Sequence, residues 1–124
     1  MKQFNLHRKK LGSLGEHIAT SYLQKQGYTV IDRNFKARYG ELDIVAVKDA
    51  TLIICEVKTR IGSSFGKPEE AITPHKLREL VQTTAYYVLT HAESPKSQRI
   101  DLIAISLNED KTIQYIKHIE NISG

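Results

Sequence analysis

"GELDIVAVKDATLIICEVKTR", residues 40–60, decides how this chain reads. Two apolar, β-branched runs flank a short polar break, the pattern of a β-hairpin. Its charges are what a core hairpin does not need: Asp43 near one end, then Glu56, Lys58 and Arg60 at the other. A two-residue turn at Asp49-Ala50, or a four-residue one centred there, gives a single register in which paired residue numbers sum to 99. That register sets Asp43 opposite Glu56 and Glu41 opposite Lys58, all on one face, because strand side chains alternate with period two. Directly opposed Cβ atoms lie about 5 Å apart. Two carboxylates so close repel in water-poor surroundings unless a cation lies between them. Mg²⁺ binds through one or two carboxylates and keeps waters and phosphate oxygens as its other ligands. Lys58, one pleat beyond Glu56, can hold an attacking water or stabilise charge developing on a phosphoryl group. Phosphodiester hydrolysis is the chemistry of such a set, while a solvated surface ion cluster of little energy accounts for the spacing equally well.

Working outward, 124 residues suit one domain with one core, residues 1–124, and the sequence calls for no second one. An apolar fraction of 40% against 26% charged excludes general disorder. No apolar run approaches the ~20 residues of a membrane span, and MKQFNLHRKKLG has no apolar signal segment, so a cytoplasmic protein without membrane contact is expected. Cys55 is the only cysteine; an internal disulfide and a cysteine zinc site are excluded, and within its apolar strand it reads as a small buried hydrophobe. The net charge of +4 leans toward a polyanionic partner. Placement says more, since Arg8, Lys9 and Lys10, then Arg33, Lys36 and Arg38, then Lys58, Arg60 and Lys67 bracket the hairpin.

Apolar residues at 11, 14, 18, 22 and 23 predict a first helix over about 12–26, closed at Gly27 in a left-handed cap. YTVIDRNF reads as a strand, the hairpin arms span about 41–47 and 52–58, and IGSSFGKP reads as a mobile loop. Thr73 as N-cap with Pro74 at the first position opens a second helix to about residue 91, whose stripe is Leu77, Leu80, Val81, Val88 and Leu89. RIDLIAISL and TIQYIKHI close the chain as strands joined across NEDK, giving the order α-β-β-β-α-β-β.

Glu109-Asp110-Lys111, downstream of Asp101, repeats the acid-x-Lys spacing but falls in a turn, where no pleat aligns the side chains. Glu16 lies at the edge of the first helix's apolar arc, so periodicity by itself favours a solvated boundary residue over one that looks toward the hairpin acids. The five histidines show no metal-ligand spacing, and His17, beside Glu16, reads as exposed. Tyr86 and Tyr87 could stack on bases, with core packing or a dimer contact the better account of at least one.

GSLGEHIATSYL, NFKARYGELDIVA, CEVKTR, FGKPEEAI and RIDLIAI, in this order, resemble the uncharacterised bacterial YraN-like family over nearly the whole chain. That family is similar to archaeal Holliday-junction resolvases and to the PD-(D/E)xK nuclease superfamily, also called restriction-endonuclease-like or tRNA-endonuclease-like. The resemblance implies an α/β three-layer fold, a central mixed sheet flanked by helices. It also implies Asp43 as the superfamily acid, Glu56 and Lys58 as the acid-x-Lys pair, and Glu16 as the glutamate of the N-terminal helix. Leu42 stands where the superfamily name anticipates proline. The expectation is a Mg²⁺- or Mn²⁺-dependent endodeoxyribonuclease with Asp43 and Glu56 as metal ligands. Branched or junction DNA is the substrate class, and Arg60, Arg38, Lys36, Lys67, Lys9 and Lys10 are the backbone contacts. Resolvase relatives suggest a homodimer by analogy. The alternative is a nuclease-fold module that binds nucleic acid or a protein without cutting.

Overall fold

The computed structural model describes residues 2–62 and 66–124, with side chains from residue 8 onward. Its elements are α1 (Lys2–Lys25), β1 (Thr29–Ala37), β2 (Gly40–Lys48), β3 (Thr51–Ile61), a 3-10 turn at Pro68–Glu70, α2 (Pro74–Thr90), β4 (Ser97–Leu107) and β5 (Ile113–Ile119). They form one five-stranded sheet in the order β1-β2-β3-β4-β5. The β3–β4 pair is parallel and the others antiparallel. This is the α-β-β-β-α-β-β order and mixed sheet of a three-layer nuclease-like fold.

The two helices cover opposite faces. Leu23 and Ala19 of α1 pack with Ile44, Ile53, Cys55, Ile103 and Ile105, whereas Leu80 and Tyr87 of α2 pack with Val45, Leu52, Ile54 and Ile100. Alternate residues of β3 therefore serve different cores, which is why Leu52 to Cys55 form an unbroken apolar run. Cys55 is fully buried, as expected, and burial raises its thiol pKa.

Several expected boundaries move. The first helix begins some ten residues earlier than the apolar period indicates, because residues 2–10 contain no Gly or Pro to stop it. Gly27 does close it, at φ 89, with the Tyr28 amide donating to the Leu23 carbonyl at 3.0 Å. The loop reading of IGSSFGKP covers residues 63–65, which lie outside the described residues, and its end is a 3-10 turn with Pro68 buried. Thr73 caps α2 as expected, accepting from the Lys76 amide. The helix's buried face is Leu80, Thr83, Thr84 and Tyr87, so Val81 and Leu89 of the expected stripe stand in solvent. An apolar period locates a helix but its stripe is wider than the contact it makes.

The hairpin turns through two residues, Asp49 and Ala50, both at positive φ, in the primed geometry that matches strand twist. The ladder follows the expected sum of 99 from Lys48↔Thr51 to Ile44↔Cys55 and then stops. Asp43 and Glu56 are not ladder partners, nor are Glu41 and Lys58, so the strict pleat is broken there. The break spans β1 and β2. Arg33 reaches Glu16 on α1, yet Phe35, two residues on, sits edge-to-face 4.9 Å from Tyr87 on α2. Opposite them, Ile44 belongs to the α1-side core and Leu42 to the α2-side core. Asn34, at φ 54, stands between Arg33 and Phe35, and Asp43 between Ile44 and Leu42. Both strands thus exchange faces at one level, and an Asn at positive φ is what allows the first of them to do so.

Candidate functional site

With the β2–β3 ladder ended, the Val57 amide needs another acceptor, and Asp43 Oδ2 takes it at 2.9 Å. A side chain replaces the rung, and the strands separate beyond it. Where they part lies an open cavity of about 540 Å³, reached from both layers. β2 and β3 supply Glu41, Asp43, Glu56, Lys58 and Arg60, α1 supplies Arg8, Gly12 and Glu16, and α2 supplies Lys76. An intact sheet would keep the two helices apart; the split lets both reach one site.

Glycine sets the approach of α1. Gly15 is buried, and a Cβ there would overlap the Thr59 side chain, so no larger residue lets the helix lie this close to β3. The next residue, Glu16, then faces the cavity with its side chain 16% exposed. Burial and the Asp43 charge raise its carboxyl pKa, against Asn34 and Arg33, which lower it. Periodicity by itself favours a solvated Glu16, whereas the side chain lines the cavity.

Glu56 is 2% exposed and Asp43 8%. Burial, then the adjacent Glu56, pushes the Asp43 carboxyl up to about 8, with the Val57 amide and Lys76 pulling the other way. Lys76 Nζ lies 3.3 Å and Lys58 Nζ 3.7 Å from the same oxygen, Glu56 Oε2. Glu56 Oε1 is left buried with no hydrogen-bond partner. Burial alone would lower the Lys76 pKa, yet Glu56 and Asp43 outweigh it and the ammonium is held more firmly than usual.

The uncharacterised protein family UPF0102 matches residues 15–105, a span that contains Glu16, Asp43, Glu56, Lys58 and Lys76. The chain belongs to the UPF0102 family. A UPF0102 protein of Caldanaerobacter subterraneus subsp. tengcongensis is 38% identical over 122 residues, covering 98% of both chains. One from Syntrophomonas wolfei subsp. wolfei is 40% identical over 113 residues, 91% of this chain and 96% of its own. This is the YraN-like family whose motifs the sequence resembles.

In this UPF0102 member the expected acids, Lys58 and Arg60 share the cavity, but the other basic residues named from sequence do not line it. Lys36, Arg38 and Lys67 are exposed around β1 and the 3-10 turn, and Lys9 and Lys10 are exposed on α1, where Arg8 instead faces the cavity. Lys76 carried no signal in the helical period. Among the described residues no group of three or more His, Cys, Asp or Glu side chains converges on a point, which does not suit a structural zinc site. Two carboxylates with one oxygen unserved and an open cavity beside them suit Mg²⁺, which takes few protein ligands.

A second polar cluster escaped the sequence reading. Asp101, fully buried on β4, accepts from Arg99 Nε at 2.9 Å and Nη2 at 2.9 Å, from the Asn121 amide at 3.0 Å, and pairs with His118 Nε2 at 2.8 Å. Arg99 also donates to the Tyr28 hydroxyl, and His118 Nδ1 contacts the Tyr22 hydroxyl. Glu109, Asp110 and Lys111 are exposed in the β4–β5 turn, as expected, and His17 is exposed. Tyr87 is core and Tyr86 is 46% exposed. Among the described residues no helix is long and apolar enough to cross a membrane.

Proposed function

We propose that this protein is a divalent-cation-dependent nuclease hydrolysing phosphodiester bonds in DNA, with branched or junction DNA the substrate class its resolvase resemblance points to. One observation carries the reading: two buried carboxyls, Asp43 and Glu56, stand against each other where the cavity opens, and burial together with the contact to Glu56 pushes Asp43 toward protonation. Such a pair is completed by one divalent cation. Asp43 and Glu56 would hold Mg²⁺ or Mn²⁺, which when bound polarises a phosphoryl oxygen and acidifies a water. Lys58 stands beside Glu56 and can neutralise charge as it develops on the phosphoryl oxygens. Glu16, with its raised carboxyl, is suited to exchange a proton with water at the α1 wall. Arg60 and Arg8 line the same cavity and can address phosphates.

The two-carboxylate donor set, without a third converging ligand among the described residues, favours a second reading. In it the fold binds nucleic acid without cutting. The test is incubation of purified protein with linear, single-stranded and four-way-junction DNA in Mg²⁺, Mn²⁺ or EDTA, with calorimetry of cation binding to wild type and Asp43→Asn. Cation-dependent cleavage and loss of cation affinity in Asp43→Asn are expected. Salt-sensitive DNA binding with no cleavage of any substrate would move the assignment to the binding module.

A further inference from the structure

Lys76 is the one residue of α2 that lines the cavity, and it makes the shorter of the two lysine contacts to Glu56. Its position is fixed at both ends. Its main-chain amide donates to the Thr73 cap at 3.1 Å, and one turn further Leu80 anchors the helix in the core. What remains free is a four-carbon stem, with the side chain 27% exposed, so the ammonium can swing without moving the helix.

Charge balance gives that swing a reason. The cavity wall carries Glu16, Glu41, Asp43 and Glu56 against Arg8, Lys58, Arg60 and Lys76, acids and bases interleaved. Two of the positive charges crowd a single carboxylate oxygen while the other oxygen of Glu56 has none. A divalent ion added at the acids brings two further positive charges to this wall, and it competes most directly with the ammonium that makes the shorter contact to Glu56.

We propose that Lys76 is the resident counter-ion of the Asp43–Glu56 pair: it holds Glu56 in the cation-free protein, yields it to an arriving divalent cation, and then offers its ammonium to a phosphate oxygen of the nucleic acid. The inference rests on the divalent-cation reading of this site. It makes Lys76 a positioning residue whose partner changes with the state of the site. Lys58 makes the longer contact to the same oxygen, 3.7 Å against 3.3 Å.

The test uses metal-stripped full-length wild type and Lys76→Met, titrated with MgCl₂ and with MnCl₂ by calorimetry. Removing the competing charge is expected to tighten cation binding by about tenfold or more. The variant's Tm in EDTA should fall and should regain more on adding Mn²⁺ than wild type does. Equal or weaker cation affinity in Lys76→Met overturns the inference and leaves the two-carboxylate site standing; no cation binding by either protein overturns the nuclease reading itself. Should Lys76→Met fail to fold without cation, wild type decides the matter. Its Lys76 ¹³Cε resonance, assigned by comparison with Lys76→Arg, is expected to move as Mg²⁺ saturates the site and to stay still in Glu56→Gln. A resonance unmoved by saturating Mg²⁺ in wild type overturns the exchange.

Discussion

Two clusters of buried acid sit on the same sheet, and they are built in opposite ways. Asp101, on the α1 face of β4, has both oxygens occupied by Arg99, His118 and a main-chain amide. Burial works against its charge, but those partners win and hold the carboxyl below its usual range. Asp43 and Glu56, where β2 leaves β3, are nearly as buried, yet they share too few donors, and Asp43 is raised to about 8. A buried charge with every lone pair met can hold a fold together. One left short is a cost to the fold, and its natural explanation is a ligand. The first cluster ties α1, β4, β5 and the C-terminal segment to one another. The second keeps a sheet open.

The comparison breaks first on stability. Asp101→Ala strands Arg99 and His118 and should lower unfolding free energy by about 3–5 kcal/mol, a Tm loss of roughly 10 °C or more. Asp43→Asn, in EDTA, should be neutral or stabilising because it removes one of two repelling carboxylates. Urea unfolding of both variants decides it, and equal losses would mean that the clusters are both structural.

Effects of pH should carry opposite signs, over a range of a few kcal/mol. Asp101 is depressed, so below its unfolded value of 3.8 the unfolded chain binds the extra proton and stability falls on acidification through the folded pKa. Asp43 is raised, so between about pH 4 and 8 the folded protein holds a proton that the unfolded chain has lost, and stability falls as pH rises. Asp43→Asn should flatten the alkaline side of the stability profile and Asp101→Asn the acid side. A wild-type profile that climbs steadily from pH 4 to 8 would contradict the raised Asp43.

Arg99 and Lys58 are each a cation beside a buried acid, which makes their removal a sharper contrast. Arg99→Ala should cost stability and leave the cavity's chemistry alone. Lys58→Ala should fold normally, keep or improve cation affinity, and lose about a hundredfold in cleavage rate, the usual loss when one charge stabiliser is deleted. A Lys58→Ala protein that cuts like wild type removes Lys58 from the reaction. The smallest effect belongs to single phosphate contacts, whether at the cavity wall, as Arg60, or outside it, as Arg38. DNA affinity should fall with salt through counterion release, and Arg60→Ala and Arg38→Ala should each reduce the slope by about one phosphate's share. Affinity indifferent to salt would argue for a protein partner.

Much of the site was legible because its residues are close in sequence. Asp43, Glu56 and Lys58 sit on one hairpin, whose two-residue turn fixes the register for five pairs. The strict alternation failed where Asn34 takes positive φ, and an Asn inside a β-branched strand was the single hint of it. Lys76 was not legible, since an exposed-looking lysine in a helix's first turn reads the same whether or not it meets an acid. Asp101 was read only as the acid upstream of a decoy, because His118 and Asn121, 17 and 20 residues on, reach it only once β5 pairs with β4, and the groups behind them lie further off: Tyr28 is 71 residues from Arg99 and Tyr22 is 96 from His118.

The sequence by itself determined the elements, their order, the hairpin and the identity of the acids and the lysine on it. Those follow from repeating local geometry, a period of two or of 3.6, and from caps and turns a few residues long. Tertiary structure decided which acids are satisfied. It placed three partners around Asp101 and withheld one from Glu56 Oε1, and it ended a ladder so that α1 and α2 could both line one cavity. Hydrogen-bond satisfaction of a buried group is a sum over neighbours brought from every layer, so it exists only once the layers have packed.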